Sequence, residues 1–408
     1  MKTRDSGFGT RASWLHWSIA GALLLLAAAA AGAQDTAEVS TGSKGPGWTF
    51  TPGLSFGGVY DSNVALAAVS PIRQQAQSDQ LLLAEPFAQL DFLTKRTEFS
   101  AGYQGYVRRY RDLDQLNGFD QHGHASLRRL ASKHVTLSFS DDYARVPTTD
   151  EIDVNGVPFS RTGARRNSLS GQLRARLSKF TDLSVRYDNT WVSFDRTDSL
   201  LTGGAVNGVT TGLSRRVSER VSVGAEYGVR FADLNAGTRQ IIFHDAGATA
   251  QIGLSERTSA SFGAGYSYLD DRSLHETRTG PYVRAELTHG TEHATVGAAF
   301  ERMFVPSFGF GGSSQSQQAR GYITMPLNRN RMYLQGSGSW RRTDPFLAGE
   351  LPLDTTLVRS TLGYSATRYL RIEAFHMFTR QDSRIAGGQV NRHRVGAQIV
   401  ISQPMRIQ

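Results

Sequence analysis

Residues 48–64 read WTFTPGLSFGGVYDSNV, and the alternation in them decides the fold. Trp48, Phe50, Pro52, Leu54 and Phe56 are apolar, while Thr49, Thr51, Gly53, Ser55 and Gly57 between them are small or polar. A period of two places the first set on one face of an extended strand and the second on the other. The pattern breaks at Tyr60-Asp61-Ser62-Asn63, whose residue types favour a turn.

The same alternation recurs down the chain. VSVGAEYGVRF (221–231) sets Val223, Tyr227 and Phe231 against Ser222, Gly224, Glu226 and Arg230. SASFGAGYSY (259–268) and MYLQGSGSW (332–340) repeat it. We read about eighteen such segments of roughly 10–14 residues, long for a soluble strand and matched to a bilayer, which a tilted strand crosses in about 9–11.

Connections sort by parity. Tight turns fall at 93–96, 131–134, 178–182, 215–220, 255–258, 289–293, 328–331 and 366–369. The alternate connections read as longer, among them 62–80, 144–163, 305–317 and 344–352. This is the pattern of a transmembrane antiparallel β-barrel of the bacterial outer membrane, an all-β fold of 16–18 strands with short periplasmic turns and long extracellular loops. Lipid tolerates no open sheet edge, so such a sheet must close on itself.

Composition agrees. The 408 residues include 42 Gly and no Cys, and only 39% are hydrophobic. Mean hydropathy is -0.34. Lys2, Arg4 and Arg11, the apolar run Ile19 to Ala33 and the Ala31-Gly32-Ala33 site lay out a cleavable export signal. The expected organisation is a signal peptide at 1–33, an N-terminal periplasmic segment at 34–46, the barrel at 47–402 and a tail at 403–408. Cleavage before Gln34 leaves 42 basic and 35 acidic residues, a net charge of +7. Aromatic residues such as Trp48, Tyr60, Trp191, Tyr268, Trp340, Tyr364 and Phe378 lie mostly near segment ends, as in an interfacial girdle.

If the apolar face meets lipid, the other lines a lumen. It carries Arg108, Arg128, Arg166, Arg174, Arg176, Arg186, Arg230, Arg284, Arg320, Arg341, Arg359, Arg371, Arg392 and Arg394. The acids on it are fewer: Glu85, Asp91, Glu98, Asp188, Glu226, Glu286 and Glu373. Roughly half of the arginines are expected to pair with acids and fill volume, since an uncompensated charge away from bulk water is costly. The surplus predicts a positive lumen, because guanidinium groups hold carboxylates and phosphates and rings of Arg select anions.

Other candidate chemistry is thin. His122 and His124 share the lumen face with Asp120, too few groups for a convincing metal centre. FGFGGSS (308–314) lacks the context of a phosphate-binding loop and reads as a flexible one. The histidines are scattered and assemble no Ser/His/Asp constellation, so neither catalysis nor a cofactor is expected. The bases are spread about one per strand, which argues against nucleic acid.

The segment GLSFGGVYDSNV (53–64) resembles the first strand of the putative β-barrel porin 2 family, outer-membrane barrels of exopolysaccharide and capsule operons that include EpsL-like proteins. The resemblance rests on a Gly-rich strand running into the rim residues Tyr60, Asp61, Ser62 and Asn63. It implies export of a hydrophilic, often acidic polysaccharide through a wide Arg-lined channel, with a periplasmic polysaccharide-export protein as partner beside outer-membrane lipid and the barrel-assembly machinery. Two other readings stand beside it: a general or anion-preferring diffusion porin, and a non-transporting structural or adhesive barrel. By length, the loops at 62–80 and 144–163 are the candidates for a plug. One departure is the C-terminal ISQPMRIQ, without the terminal aromatic residue that many such barrels use for assembly.

Overall fold

The computed structural model describes residues 46–64, 76–147, 162–195, 201–309, 311–328, 331–347, 350, 352–383 and 388–407. The expected leader, and residues 65–75 and 148–161 of the two candidate plug loops, lie outside them.

Eighteen long strands follow one another in antiparallel hairpins. They are β1 (Gly47–Asp61), β2 (Asp79–Leu93), β3 (Thr97–Tyr110), β4 (Gly118–Leu130), β5 (Val135–Pro147), β6 (Gly163–Arg176), β7 (Thr181–Phe194), β8 (Gly204–Arg216) and β9 (Val221–Leu234). The second half comprises β10 (Arg239–Ser255), β11 (Thr258–Asp271), β12 (Glu276–Gly290), β13 (Thr295–Ser307), β14 (Gly312–Leu327), β15 (Met332–Pro345), β16 (Leu353–Ser365), β17 (Leu370–Ser383) and β18 (Gly388–Ser402). Each pairs with its sequence neighbours, and β1 also pairs with β18, from Gly53 opposite Ser402 to Asp61 opposite Arg394. The sheet is a closed antiparallel barrel.

Part of the expected tail is a strand. A short β19 (Met405–Ile407) pairs with Trp48–Phe50, so closure extends past Ser402 to the lower end of β1.

The alternation sorts as its chemistry requires. Phe56, Tyr60, Phe231, Phe262, Val395 and Ile399 are exposed on the outer face, and Tyr266 is 75% exposed. Their inward neighbours Ser55, Asp61, Ser267 and Arg392 are buried. Such a belt of bare aromatic and branched side chains is stable only against an apolar medium.

The tight turns share a local device. Thr94 Oγ1 accepts from the Thr97 amide at 2.9 Å, Ser132 Oγ from Val135 at 3.1 Å and Ser218 Oγ from Val221 at 3.1 Å. Thr291 and Thr367 do the same for Ala294 at 2.9 Å and Leu370 at 3.1 Å. A hydroxyl at the head of each turn satisfies an amide that neither strand can reach.

The opposite rim departs from expectation. Segment 305–317 belongs mostly to β13 and β14, leaving only 308–311 as a connection, and 344–352 shrinks to 346–352. The ambiguous stretch 232–240 is a tight hairpin through Asn235, Ala236 and Gly237, all with positive φ.

Candidate functional site

The inward face holds charged ladders rather than bare arginines. Arg392 lies with Asp61, its Nε 3.0 Å from each carboxylate oxygen, and the side chains are 1% and 0% exposed. Arg394 approaches the same carboxylate at 3.9 Å. Arg108 Nη2 donates to Asp120 at 2.9 Å. Asp142 accepts from Arg166 at 2.8 Å and contacts His122 Nε2 at 3.0 Å.

The same face continues around the barrel. Arg230 reaches Asp245 at 2.8 Å, Arg186 reaches Asp188 at 2.8 Å, and Arg284 pairs with Glu226, which also accepts from the Tyr282 hydroxyl at 3.0 Å. Arg371 pairs with Glu373, and Gln398 donates to that carboxylate at 2.7 Å. Looser pairs are Arg128 with Glu98 at 3.6 Å, Arg320 with Glu301 at 3.6 Å and Arg176 with Asp182 at 3.7 Å. Arg341 faces inward on β15, opposite Gln318. Arg174 and Arg359 reach no carboxylate among the described residues, and Arg359 stands 6.0 Å from the Phe375 ring.

Pairing therefore absorbs far more of the arginines than the expected half. The reason is register: Arg108 and Asp120, or Arg166 and Asp142, sit far apart in sequence but two residues off register on adjacent strands. That offset lets a long guanidinium stem reach a short carboxylate diagonally.

The rim motif is a latch as well as a turn. The Asn63 amide closes an Asx-type turn on Asp61 Oδ1 at 3.1 Å, while Asp61 itself ties β1 to β18. Ser62 accepts from the His393 amide at 2.8 Å, and Asn63 Nδ2 donates to the Asn391 carbonyl at 3.1 Å. Tyr60 stands outward, 47% exposed.

Sequence reasoning missed two further rim aspartates that anchor loops. Asp79 accepts from the Leu113 amide at 3.0 Å, and Asp271 from Leu274 at 3.1 Å and from Arg239 at 2.6 Å. The available signal was position: like Asp61, each stands at the end of a strand pattern and faces inward.

The inward face is not polar throughout, and at the loop rim it carries two apolar clusters. Val59, Val64, Leu81, Leu83, Tyr110 and Leu113 form one buried cluster. Val192, Leu234, Ile241, Phe243, Leu269, Phe304 and Phe308 form another. Lower on β1, the Phe87 ring lies over Gly53, where a Cβ would come within 2.1 Å of it.

The second cluster exists because the β13–β14 hairpin folds inward. Residues 304–309 are all buried, where a wall strand would alternate. The Phe304 carbonyl accepts from Arg230 at 2.8 Å, and Gly309 accepts from the Thr202 amide at 3.0 Å, across from the β7–β8 connection. Within FGFGGSS, read as a flexible loop, Phe308 and Gly309 are buried at the tip of this hairpin and Gly312, Ser313 and Ser314 begin β14. Gly311 has φ +77 and lies against Thr202, a place where a side chain would be strained.

Beneath the tip, both carboxylate oxygens of Glu350 are buried with no hydrogen-bond partner among the described residues. Burial pushes its pKa up to about 7, against the opposing pull of Arg239.

No family model matches this chain, and no curated protein matches it. Solved structures similar to it include OpdL of Pseudomonas aeruginosa, at 12% identity over 88% of this chain and 99% of that one, with a TM-score of 0.41. OccAB4 of Acinetobacter baumannii has 10% identity over 88% and 98%, at TM-score 0.44. The siderophore receptor PirA of P. aeruginosa has 12% identity over 89% and 81%, at TM-score 0.40.

Proposed function

We propose that this barrel spans the bacterial outer membrane and works as a passive porin for small hydrophilic solutes, with a preference for anions. The carrying observation is the combination of a bare apolar belt outside and a charged, hydrogen-bonded face inside one closed wall. Arg–acid ladders present donors all along the wall without one deep binding site, so a solute exchanges weak partners as it moves. Exposed Arg174 and half-buried Arg359, with no carboxylate partner among the described residues, tip the balance toward anions.

Planar-bilayer recordings in a KCl gradient test this. The expected result is a reversal potential of anion-preferring sign that moves toward zero in Arg174→Gln/Arg359→Gln. Absence of conductance, or a cation preference unaffected by these changes, overturns it.

The resemblance of residues 53–64 to barrels of exopolysaccharide operons supports a second reading, a polymer as cargo. The inward-folded hairpin stands against it, because it occupies lumen that a chain of sugars would need. A deletion strain that keeps its surface polymer in full would exclude export.

A further inference from the structure

One seam of the wall is only half closed. Val283–Gly290 of β12 pair with Thr295–Arg302 of β13, and the ladder ends there. Above it Glu276–Tyr282 bond only to β11, while Met303–Ser307 bond only to β14 and turn into the lumen. Pro281 and Pro306 both fall in this stretch, where a missing amide proton costs no ladder bond. Phe304 covers the inner side of the gap by lying on Gly280, whose Cβ would come within 2.6 Å of the ring.

The gap holds an open cavity of about 380 Å³ lined by both faces of the wall. Thr279 and Pro281 contribute from the exposed outer face of β12, while Phe304 and Phe346 supply apolar ring surface. Two guanidinium groups complete it. Arg278 stacks over the Phe346 ring at 4.9 Å and holds Glu276 at 3.1 Å. Arg302 has no acidic partner among the described residues, and its Nε is buried without a hydrogen bond. Tyr268, paired with Thr279, is exposed beside it and marks interface depth.

A partly desolvated cation over an apolar floor, reached from the belt side at interface depth, selects an amphiphile with its charge at one end. We infer that the β12–β13 gap is a lateral binding site for a single-chain amphiphile bearing a carboxylate, its head on Arg302 and its chain along Phe304 and Phe346. The inference rests on the membrane placement proposed above.

The test is photolabelling of the full chain in phosphatidylcholine nanodiscs with a diazirine-bearing undecanoate. Adducts are expected on 278–281 and 302–304. Excess decanoate should remove them, whereas decylammonium should not. Arg302→Gln should weaken labelling about tenfold, the worth of one charge-assisted hydrogen bond, and Gln315→Trp should block it by filling the cavity. Ion conductance measured on the same samples reports separately on the channel: labelling at this site without conductance supports the lateral site and fails the porin reading alone. Adducts spread over belt residues such as Phe262 and Ile399, unchanged in Arg302→Gln, overturn the site. Equal competition by decylammonium overturns the anionic head, and equal competition by benzoate overturns entry from the lipid side.

Discussion

The barrel has two seams that differ in connectivity and, in the opposite sense, in closure. At the β1–β18 seam the chain ends meet with no covalent hairpin to help them, yet pairing runs from Gly53–Ser402 up to Asp61–Arg394 and is prolonged below by β19. At the β12–β13 seam a tight turn through 291–294 joins the strands covalently, yet the ladder stops at Val283–Arg302. Covalent proximity is therefore not what closes this wall. The first seam carries a buried ion pair, Asp61 with Arg392. The second carries Pro281, Pro306 and a glycine onto which an aromatic ring folds. Side chains at the rim decide which seam zips.

The largest effect is expected from breaking the first seam. Asp61→Ala takes this carboxylate from the Arg392 guanidinium, whose side chain is 1% exposed. Breaking a buried pair by removing one partner costs about 3–5 kcal/mol. The folded, fast-migrating band in unboiled gel samples should convert to the unfolded form at a markedly lower temperature. An unchanged transition would mean that backbone pairing alone holds the chain ends together.

Next comes Gly280→Leu at the second seam. Its Cβ alone would meet the Phe304 ring at 2.6 Å. Overpacking of this kind costs about 1–3 kcal/mol, and withdrawal of the β13–β14 hairpin from the lumen relieves it. Single-channel conductance should rise while the barrel stays folded. A conductance equal to the parent's would show that the hairpin does not limit the pore.

Glu350 makes the second seam's hairpin sensitive to pH. Its folded pKa of about 7 lies above the ordinary glutamate value of 4.5. The folded chain therefore holds a proton there that the unfolded chain has lost, and the stability this brings is fully present below about pH 4.5 and disappears as pH rises through 7. Packing of the hairpin tip should loosen over that window, read as increased current noise in bilayers. Glu350→Gln should remove the dependence, and a profile identical in both proteins would assign the titration elsewhere.

The smallest effect belongs to the turn that joins β12 to β13. Thr291→Ala removes the hydroxyl that accepts from Ala294 at 2.9 Å in the β12–β13 turn. The turn is exposed, so a loss of about 0.5–1.5 kcal/mol is the ceiling, visible as a small shift in thermal unfolding. A larger shift would mean that the turn carries strain from the half-closed seam above it.

Much of this was legible in one dimension. The strand pattern, the tight turns and the inward sorting of residues such as Arg108 and Arg166 follow from a period of two, which depends only on local geometry. Segment 305–317 was misread because its alternation is hidden: Ser313, Ser314 and Ser316 are buried on both sides of a folded-in strand, where small polar residues fit but look like loop. Ile241, Ile242 and Phe243 give the complementary case, a run whose apolar inward members belong to a rim cluster. The pairing of Arg166 with Asp142 was invisible because it needs the relative register of two strands.

What the sequence determined by itself is the wall: strands of bilayer length, an apolar outer face, and a polar inner face closed by hairpins in order. A strand's two faces are set by each residue's own neighbours, so the pattern survives without knowledge of the partner. Only the tertiary structure decided which arginines are neutralised, that Asp61 latches the chain ends, and that one hairpin leaves the wall to fill the lumen. These depend on diagonal contacts between strands and on whether a rim segment gains more by pairing or by burying its rings, and such a balance is struck only once the sheet has closed.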